Sequence, residues 1–97
     1  MSGDADANRV RLPEVMDLRA AAPLAEDLRR RRGGDVEIDG SQVKRLGGQC
    51  LQVLLSAQAT WEVDGGVLRF VDPSPEFIEA LTLMGAASLT DLGSEIA

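Results

Sequence analysis

Histidine is absent from this sequence, and cysteine occurs once, at Cys50. These side chains most often bind zinc or act as general bases near neutral pH, so histidine-based triads, cysteine–histidine pairs and zinc sites are excluded. A single cysteine cannot form an internal disulfide, which favours a reducing, cytoplasmic location. The carboxylates form no visible acid–base pair. We therefore expect no enzyme activity, no metal and no cofactor.

Long apolar runs and excess positive charge are missing as well. No stretch approaches the ~20 consecutive apolar residues of a membrane span, so direct membrane insertion is not expected. The first eight residues have neither the basic start nor the apolar centre of a signal peptide. Asp and Glu number 16 against 10 Lys and Arg, which gives a net charge of -6. Because binding to a phosphate backbone requires a positive surface, nucleic acid is not an expected partner.

The remaining composition is that of one small folded domain. The chain has 97 residues, of which 44% are hydrophobic and 27% charged. These fractions are close to ordinary globular usage, and the length allows a single core. Residues 1–8 are small, polar and acidic, so we expect a disordered lead there and a domain over residues 9–97.

The first structural unit is a short strand followed by an Ala-rich helix. Alternating apolar residues predict an edge strand that Pro13 weakens or ends, because proline cannot donate to a ladder. Asp17 is a candidate N-terminal cap, and Pro23 is tolerated only near a helix start, so regular helix is expected over about residues 20–32. The four arginines at 29–32 are interpreted as cations that complement the C-terminal end of the helix dipole.

Two further strand–helix units follow. Alternating apolar and polar residues predict strands at residues 35–39 and 67–71. The helix expected at 50–61 is apolar around most of its circumference. Ser74 and Pro75 supply a cap and a first-turn proline for a third helix. That helix is expected to turn inward Phe77, Ile78, Leu81 and Met84. This order predicts an α/β domain in which helices pack on a single sheet.

Three local features have functional alternatives. Cys50 is interpreted as a small core residue rather than a reactive thiol, and Trp61 as packed core rather than a partner anchor. Gly47 and Gly48 lie between a strand and a helix, as phosphate-binding glycines do. However, the Lys and the Ser or Thr of a P-loop are missing there, which argues against nucleotide binding.

Segment 43–55 reads Val-Lys-Arg-Leu-Gly-Gly-Gln-Cys-Leu-Gln-Val-Leu-Leu. It resembles the STAS domain, the module shared by sulfate-transporter tails and anti-sigma factor antagonists. In that family a strand leads through a loop with Asp, then Ser or Thr, then Ser or Gly, then Gly, into a Leu-rich helix. Segments 17–24, 65–70 and 75–85 are similar to other parts of the family pattern, so the resemblance covers about residues 9–92. It implies a STAS-like single sheet with helices packed on it.

The resemblance breaks at the family's phosphorylation site. Aligned without gaps, Gly47 falls on the usual Asp and Gly48 on the phosphorylatable Ser or Thr. Neither glycine can accept a phosphoryl group, so no phosphorylation is expected at the family position, and the usual switch by added charge is put in doubt. Ser41 and Ser74 carry hydroxyls, but neither occupies that position.

The resemblance implies a non-enzymatic regulatory protein that binds a signal-transduction kinase. Small STAS proteins with a degenerate switch occur beside bacterial chemotaxis genes, so the chemotaxis histidine kinase is the first choice of partner. Two alternatives stay open, an antagonist that binds an anti-sigma factor kinase and an accessory STAS subunit of an ABC transporter. A proline placed like Pro23 occurs in the STAS subunit of the bacterial phospholipid-transport complex.

The expected partner surface is the loop before the second helix together with the start of that helix. Glycines would permit close backbone approach, Leu46 would supply an apolar contact and Arg45 would meet an acidic group. The complete set is Arg45, Leu46, Gly47, Gly48, Gln49 and Gln52. With no phosphoryl acceptor, control is expected to come from abundance or from the partner's own state.

Overall fold

The computed structural model describes residues 8–91. Its strands are β1 (Arg9–Arg11), β2 (Val15–Met16), β3 (Val36–Asp39), β4 (Arg45–Leu46) and β5 (Leu68–Val71). Its helices are α1 (Leu18–Arg30), α2 (Gly48–Asp64), α3 (Pro75–Leu83) and α4 (Ser88–Asp91). The expected lead at residues 1–8 lies outside the described residues except for Asn8, whose carbonyl accepts a hydrogen bond from the Glu37 amide at 3.0 Å.

A three-stranded parallel sheet in the order β1-β3-β5 forms the centre of the fold. Successive side chains of a strand point to opposite faces, so residues in register across the sheet share a face. One face carries the apolar row of Val10, Ile38 and Phe70, which joins the core. The other face carries the charged row of Arg9, Glu37 and Arg69. This arrangement gives an α/β domain whose apolar sheet face packs against helices, as predicted.

A second, two-stranded parallel pair, β2 with β4, was not anticipated. The ladder of β1 reaches the Leu12 amide, which donates to the Asp39 carbonyl at 2.9 Å. Pro13 interrupts it there, in line with the missing N–H of proline. The Glu14 carbonyl then accepts from both amides at 44–45, and pairing resumes one residue later. The effect is a second short strand that leads directly into α1.

Helix α1 begins at Leu18, about two residues before its expected start. The Asp17 carboxylate accepts from the backbone amides at 19–20 at 3.1 and 3.3 Å, which confirms the predicted cap. Pro23 therefore lies inside the helix rather than in its first turn, and the placement expected from that proline was wrong. The Asp17 cap marks the start, and the helix ends at Arg30, after which the Arg31 amide donates to the Leu28 carbonyl at 3.0 Å.

Helix α2 is longer than predicted, and its interior positions supply much of the core. It ends at Asp64 and is followed by Gly65, whose φ of 76° is left-handed and whose amide donates to the Glu62 carbonyl at 3.2 Å. Cys50 and Trp61 are both buried, which confirms their interpretation as core residues.

Helix α3 has the predicted cap, since the Ser74 hydroxyl accepts from the Phe77 amide at 3.0 Å. Phe77 and Leu81, four residues apart, form its buried stripe. The expectation that Ile78 and Met84 turn inward was wrong, because they are 45% and 41% exposed. Ile78 lies about 100° around the helix from Phe77, and Met84 follows the last helical residue.

Candidate functional site

The turn from β4 into α2 is held in place on both sides. Leu46 is buried in the core, and the Gly47 amide donates to the Met16 carbonyl at 2.9 Å. The Gly47 carbonyl accepts from the Leu51 amide at 3.1 Å, which begins the helical bonding. Because β2 and the core fix this turn, the residues that follow it are presented on a rigid base.

Leu46 does not belong to the surface that the sequence predicted. Its side chain is 7% exposed, while Arg45 before it is exposed. Alternation along β4 turns one of these neighbours outward and the other inward. The expectation that Leu46 contacts a partner is corrected on this ground, and its role is to anchor the strand. Four of the remaining predicted residues are exposed, namely Arg45, Gly48, Gln49 and Gln52.

The two glycines at this turn have different surroundings. A Cβ atom added at Gly47 would lie 3.3 Å from the Met16 carbonyl oxygen, whereas one added at Gly48 would meet nothing within 4 Å. Gly47 is the cap residue of α2, and within the described range no side-chain hydrogen bond caps this end of the helix. The first amides of a helix have no partner within the helix. The start of α2 is thus an open stretch of backbone at which another molecule can approach closely.

A groove of about 350 Å³ runs between α1 and α2. It begins beside the same turn, because Gln49 and Gln52 line it, and it ends at Trp61. Arg29 and Arg32 of the arginine run line its α1 side. Sequence reasoning missed this groove, since it forms only when two helices distant in the chain pack together.

Arg32 closes the far end of the groove with an ion pair. Its guanidinium donates to both oxygens of Asp64 at 2.9 and 3.0 Å. These bonds, more than the charge itself, hold the pKa of Asp64 below its usual range. Part of the arginine run therefore links α1 to the end of α2, in addition to complementing the helix dipole.

The two serines that the sequence left open differ in access. The Ser41 side chain lies on an exposed turn. Ser74 is 7% exposed, and its hydroxyl donates to the Val43 carbonyl at 2.5 Å while it caps α3.

Cys50 is buried too, and its thiol donates to the Asp17 carbonyl at 3.2 Å. Burial raises the pKa of that thiol, which disfavours the reactive thiolate.

Within residues 8–91, no group of three or more Cys, Asp or Glu side chains is placed to hold a metal ion. None of the helices in this range combines the length and apolar character needed to cross a membrane.

Comparison with known proteins gives one match. A family model described as "Mlab, STAS domain" matches residues 1–91. This range includes every residue that the structure describes, and with them the β4–α2 turn and the groove beside it. No curated protein and no solved structure matched the chain.

Proposed function

The chain belongs to the STAS domain family, and we propose that it is a non-enzymatic cytoplasmic regulator that binds a signal-transduction histidine kinase of the chemotaxis class. STAS domains are generally regulatory domains that bind other proteins. The proposed contact surface is the start of α2 with the residue before the turn. Its exposed members are Arg45, Gly48, Gln49 and Gln52.

The observation that carries the proposal is the open position at Gly48. This glycine stands where the family resemblance places the phosphorylatable Ser or Thr, and space for a side chain exists there. A partner can therefore lie close against the backbone at a position that no kinase can phosphorylate. We infer a complex that is not switched by phosphorylation of this site, so that control lies in protein abundance or in the state of the kinase.

Charge supports a contact at Arg45. Within residues 8–91, this exposed guanidinium makes no ion pair, whereas most arginines of the chain are paired with carboxylates. An unpaired arginine beside an open helix start favours an acidic group on the partner. Gln49 and Gln52, neighbours on the surface of α2, add amide donors and acceptors.

The experiment that tests this function is calorimetric titration of the purified chain with the purified chemotaxis histidine kinase from the same cells. Gly48→Asp adds a charge at the centre of the proposed contact and should weaken binding by about tenfold or more. Ala59→Asp is the matched control, because it adds the same charge at an exposed position in the same helix. It should bind like the wild type.

Two results would overturn the proposal. If the wild-type chain does not bind the kinase, the partner is wrong. If Gly48→Asp binds as tightly as Ala59→Asp, the kinase binds elsewhere. Mass spectrometry of the chain taken from cells adds a separate check, because recovery of an anti-sigma factor with a phosphorylated chain would favour the antagonist alternative.

A second candidate function is an accessory subunit on the ATPase of an ABC transporter. Two observations favour it, namely the "Mlab" description of the matching family model and the position of Pro23 inside α1. The same titration with a purified ATPase of the phospholipid-transport class distinguishes the candidates. Tight binding to that ATPase with none to the kinase would assign the chain to the transporter.

A further inference from the structure

The α1–α2 groove has an apolar floor and a polar rim. Small side chains at Ala25 and Ala57 leave space between the helices, and Leu28 and Val53 form part of the floor. Along α2, the groove spans the twelve residue steps from Gln49 to Trp61, which at 1.5 Å per residue is about 18 Å. That length suits a short peptide segment, whereas a compact small molecule would fill only part of it.

The charge of the groove is opposite to that of the whole chain. The net charge is -6, yet no Asp or Glu of the described residues lines the groove. Of its two arginines, Arg32 is neutralised by Asp64. Arg29 is exposed and makes no ion pair among the described residues. Among the described residues, the groove is therefore lined by one arginine without an ion pair, in a molecule whose net charge is negative.

The groove is continuous with the surface proposed above. Gln49 and Gln52 belong to both, so a partner seated at the β4–α2 turn reaches the groove without a gap. From this continuity and from the charge, we propose that the groove receives an acidic, amphipathic segment of the protein partner, whose carboxylate pairs with Arg29 and whose apolar side chains cover the floor. This inference rests on the proposed function, and it names the chemistry of the partner.

The test uses overlapping synthetic peptides that tile the histidine kinase, titrated against the full chain. The indole of Trp61, the single tryptophan of the chain, lines the groove and reports occupancy by its fluorescence. An acidic peptide with apolar residues should bind and change this emission. Arg29→Glu should weaken that peptide by about tenfold or more, and binding should fall with added salt.

Matched variants separate the local charge from the net charge. Arg19→Glu makes the same change of charge at an exposed position of α1 that does not line the groove, and it should leave the affinity within about twofold. Replacing the acidic residue of the peptide by Lys should restore its binding to Arg29→Glu. Ser56→Leu, which puts a larger side chain on the exposed rim, should weaken the peptide at all salt concentrations.

The outcomes distinguish this proposal from the function on which it rests. If Gly48→Asp weakens the intact kinase while Arg29→Glu and Arg19→Glu bind alike, the function stands and the groove proposal falls. If no kinase binding occurs with the wild type, both fall. Binding of vesicles of phosphatidylglycerol and phosphatidylethanolamine that depends on Arg29, without binding of any acidic peptide, would also overturn the peptide proposal.

Discussion

The indole Nε1 of Trp61 donates a hydrogen bond to the carbonyl oxygen of Gly34 at 2.7 Å. Trp61 lies in the last turn of α2, and Gly34 lies in the loop that leads from α1 to β3. The bond thus ties the end of α2 to the loop that connects α1 with β3. Together with the nearby ion pair of Arg32 and Asp64, it fixes the end of the groove.

Trp61→Phe should lower the free energy of unfolding by about 1 to 2 kcal/mol, because it removes a buried donor while keeping most of the apolar contact. Urea unfolding followed by far-ultraviolet circular dichroism measures the change without requiring tryptophan. Trp61→Ala should cost about 3 to 5 kcal/mol, since it also removes the packing. Equal losses in the two variants would show that the retained ring adds no stability beyond the hydrogen bond, and no loss in Trp61→Phe would show that the hydrogen bond contributes nothing.

Gly48→Ala and Gly65→Ala should change stability in opposite directions. A Cβ at either position meets nothing within 4 Å, so only the backbone differs. Gly48 is the first residue of α2, and alanine there should raise the free energy of unfolding by up to about 0.5 kcal/mol, less than at a position inside a helix. Gly65 has a φ of 76°, and alanine should cost about 1 kcal/mol or more. Thermal unfolding of both variants tests this, and loss of stability in Gly48→Ala would contradict an open position.

Asp39 should make the free energy of unfolding depend on pH in the acidic range. Its buried carboxylate accepts a hydrogen bond from the Ser41 amide at 2.9 Å and lies 3.3 Å from the Arg9 guanidinium. The hydrogen bond from Ser41 is the main reason that the pKa of Asp39 is lowered, although burial acts in the opposite direction. Since the folded pKa lies below the unfolded value of about 3.9, the stabilisation is complete above that pH. It is lost as the pH falls through the folded pKa.

The variant Asp39→Asn should therefore cost about 1 to 3 kcal/mol at neutral pH. Its deficit against the wild type should shrink as the pH is lowered below about 4. Asp72→Asn removes a second, exposed carboxylate near Arg9 and should cost at most about 0.5 kcal/mol. Unfolding curves at a series of pH values measure both. A deficit of Asp39→Asn that does not change with pH would rule out this linkage.

A negative charge introduced at Ser74 should destabilise the fold, whereas the same charge at Ser41 should be tolerated. Ser74→Ala removes a cap and leaves the buried Val43 carbonyl without its donor, at a cost of about 2 kcal/mol. Ser74→Asp should cost more, because it also places a charged carboxylate at a buried position against the Val43 carbonyl oxygen. Ser41→Asp, on an exposed turn, should change stability by less than about 0.5 kcal/mol. Thermal melting of the three variants decides whether phosphorylation at Ser74 is compatible with the fold.

Local features of the fold were predictable because their causes lie within a few residues. Asp17 and Ser74 cap helices through amides two or three positions away, and Pro13 interrupts a strand through its own missing N–H. The error at Ile78 has the opposite origin. An apolar residue at a helix position can face either the core or solvent, and only the angle at which the helix packs decides between them.

The candidate site stays a prediction, and the structure bears only on which of its residues are exposed. The exposed positions of Arg45, Gly48, Gln49 and Gln52 agree with a surface at the start of α2, while Leu46 is inside. In a strand of two residues, the sequence does not show which side chain faces the core, because β4 is defined only by its pairing with β2. What the surface binds stays a prediction.

By itself, the sequence determined the α/β fold class, the residues that cap the helices and end the first strand, and the absence of a side-chain hydroxyl at positions 47 and 48. These follow from side-chain chemistry and from local backbone geometry. Only the tertiary structure decided that residue 46 is buried, that Trp61 meets Gly34, and that Arg29 lies beside a groove with no ion pair among residues 8–91. Each of these depends on segments far apart in the chain coming together, which local preference does not specify.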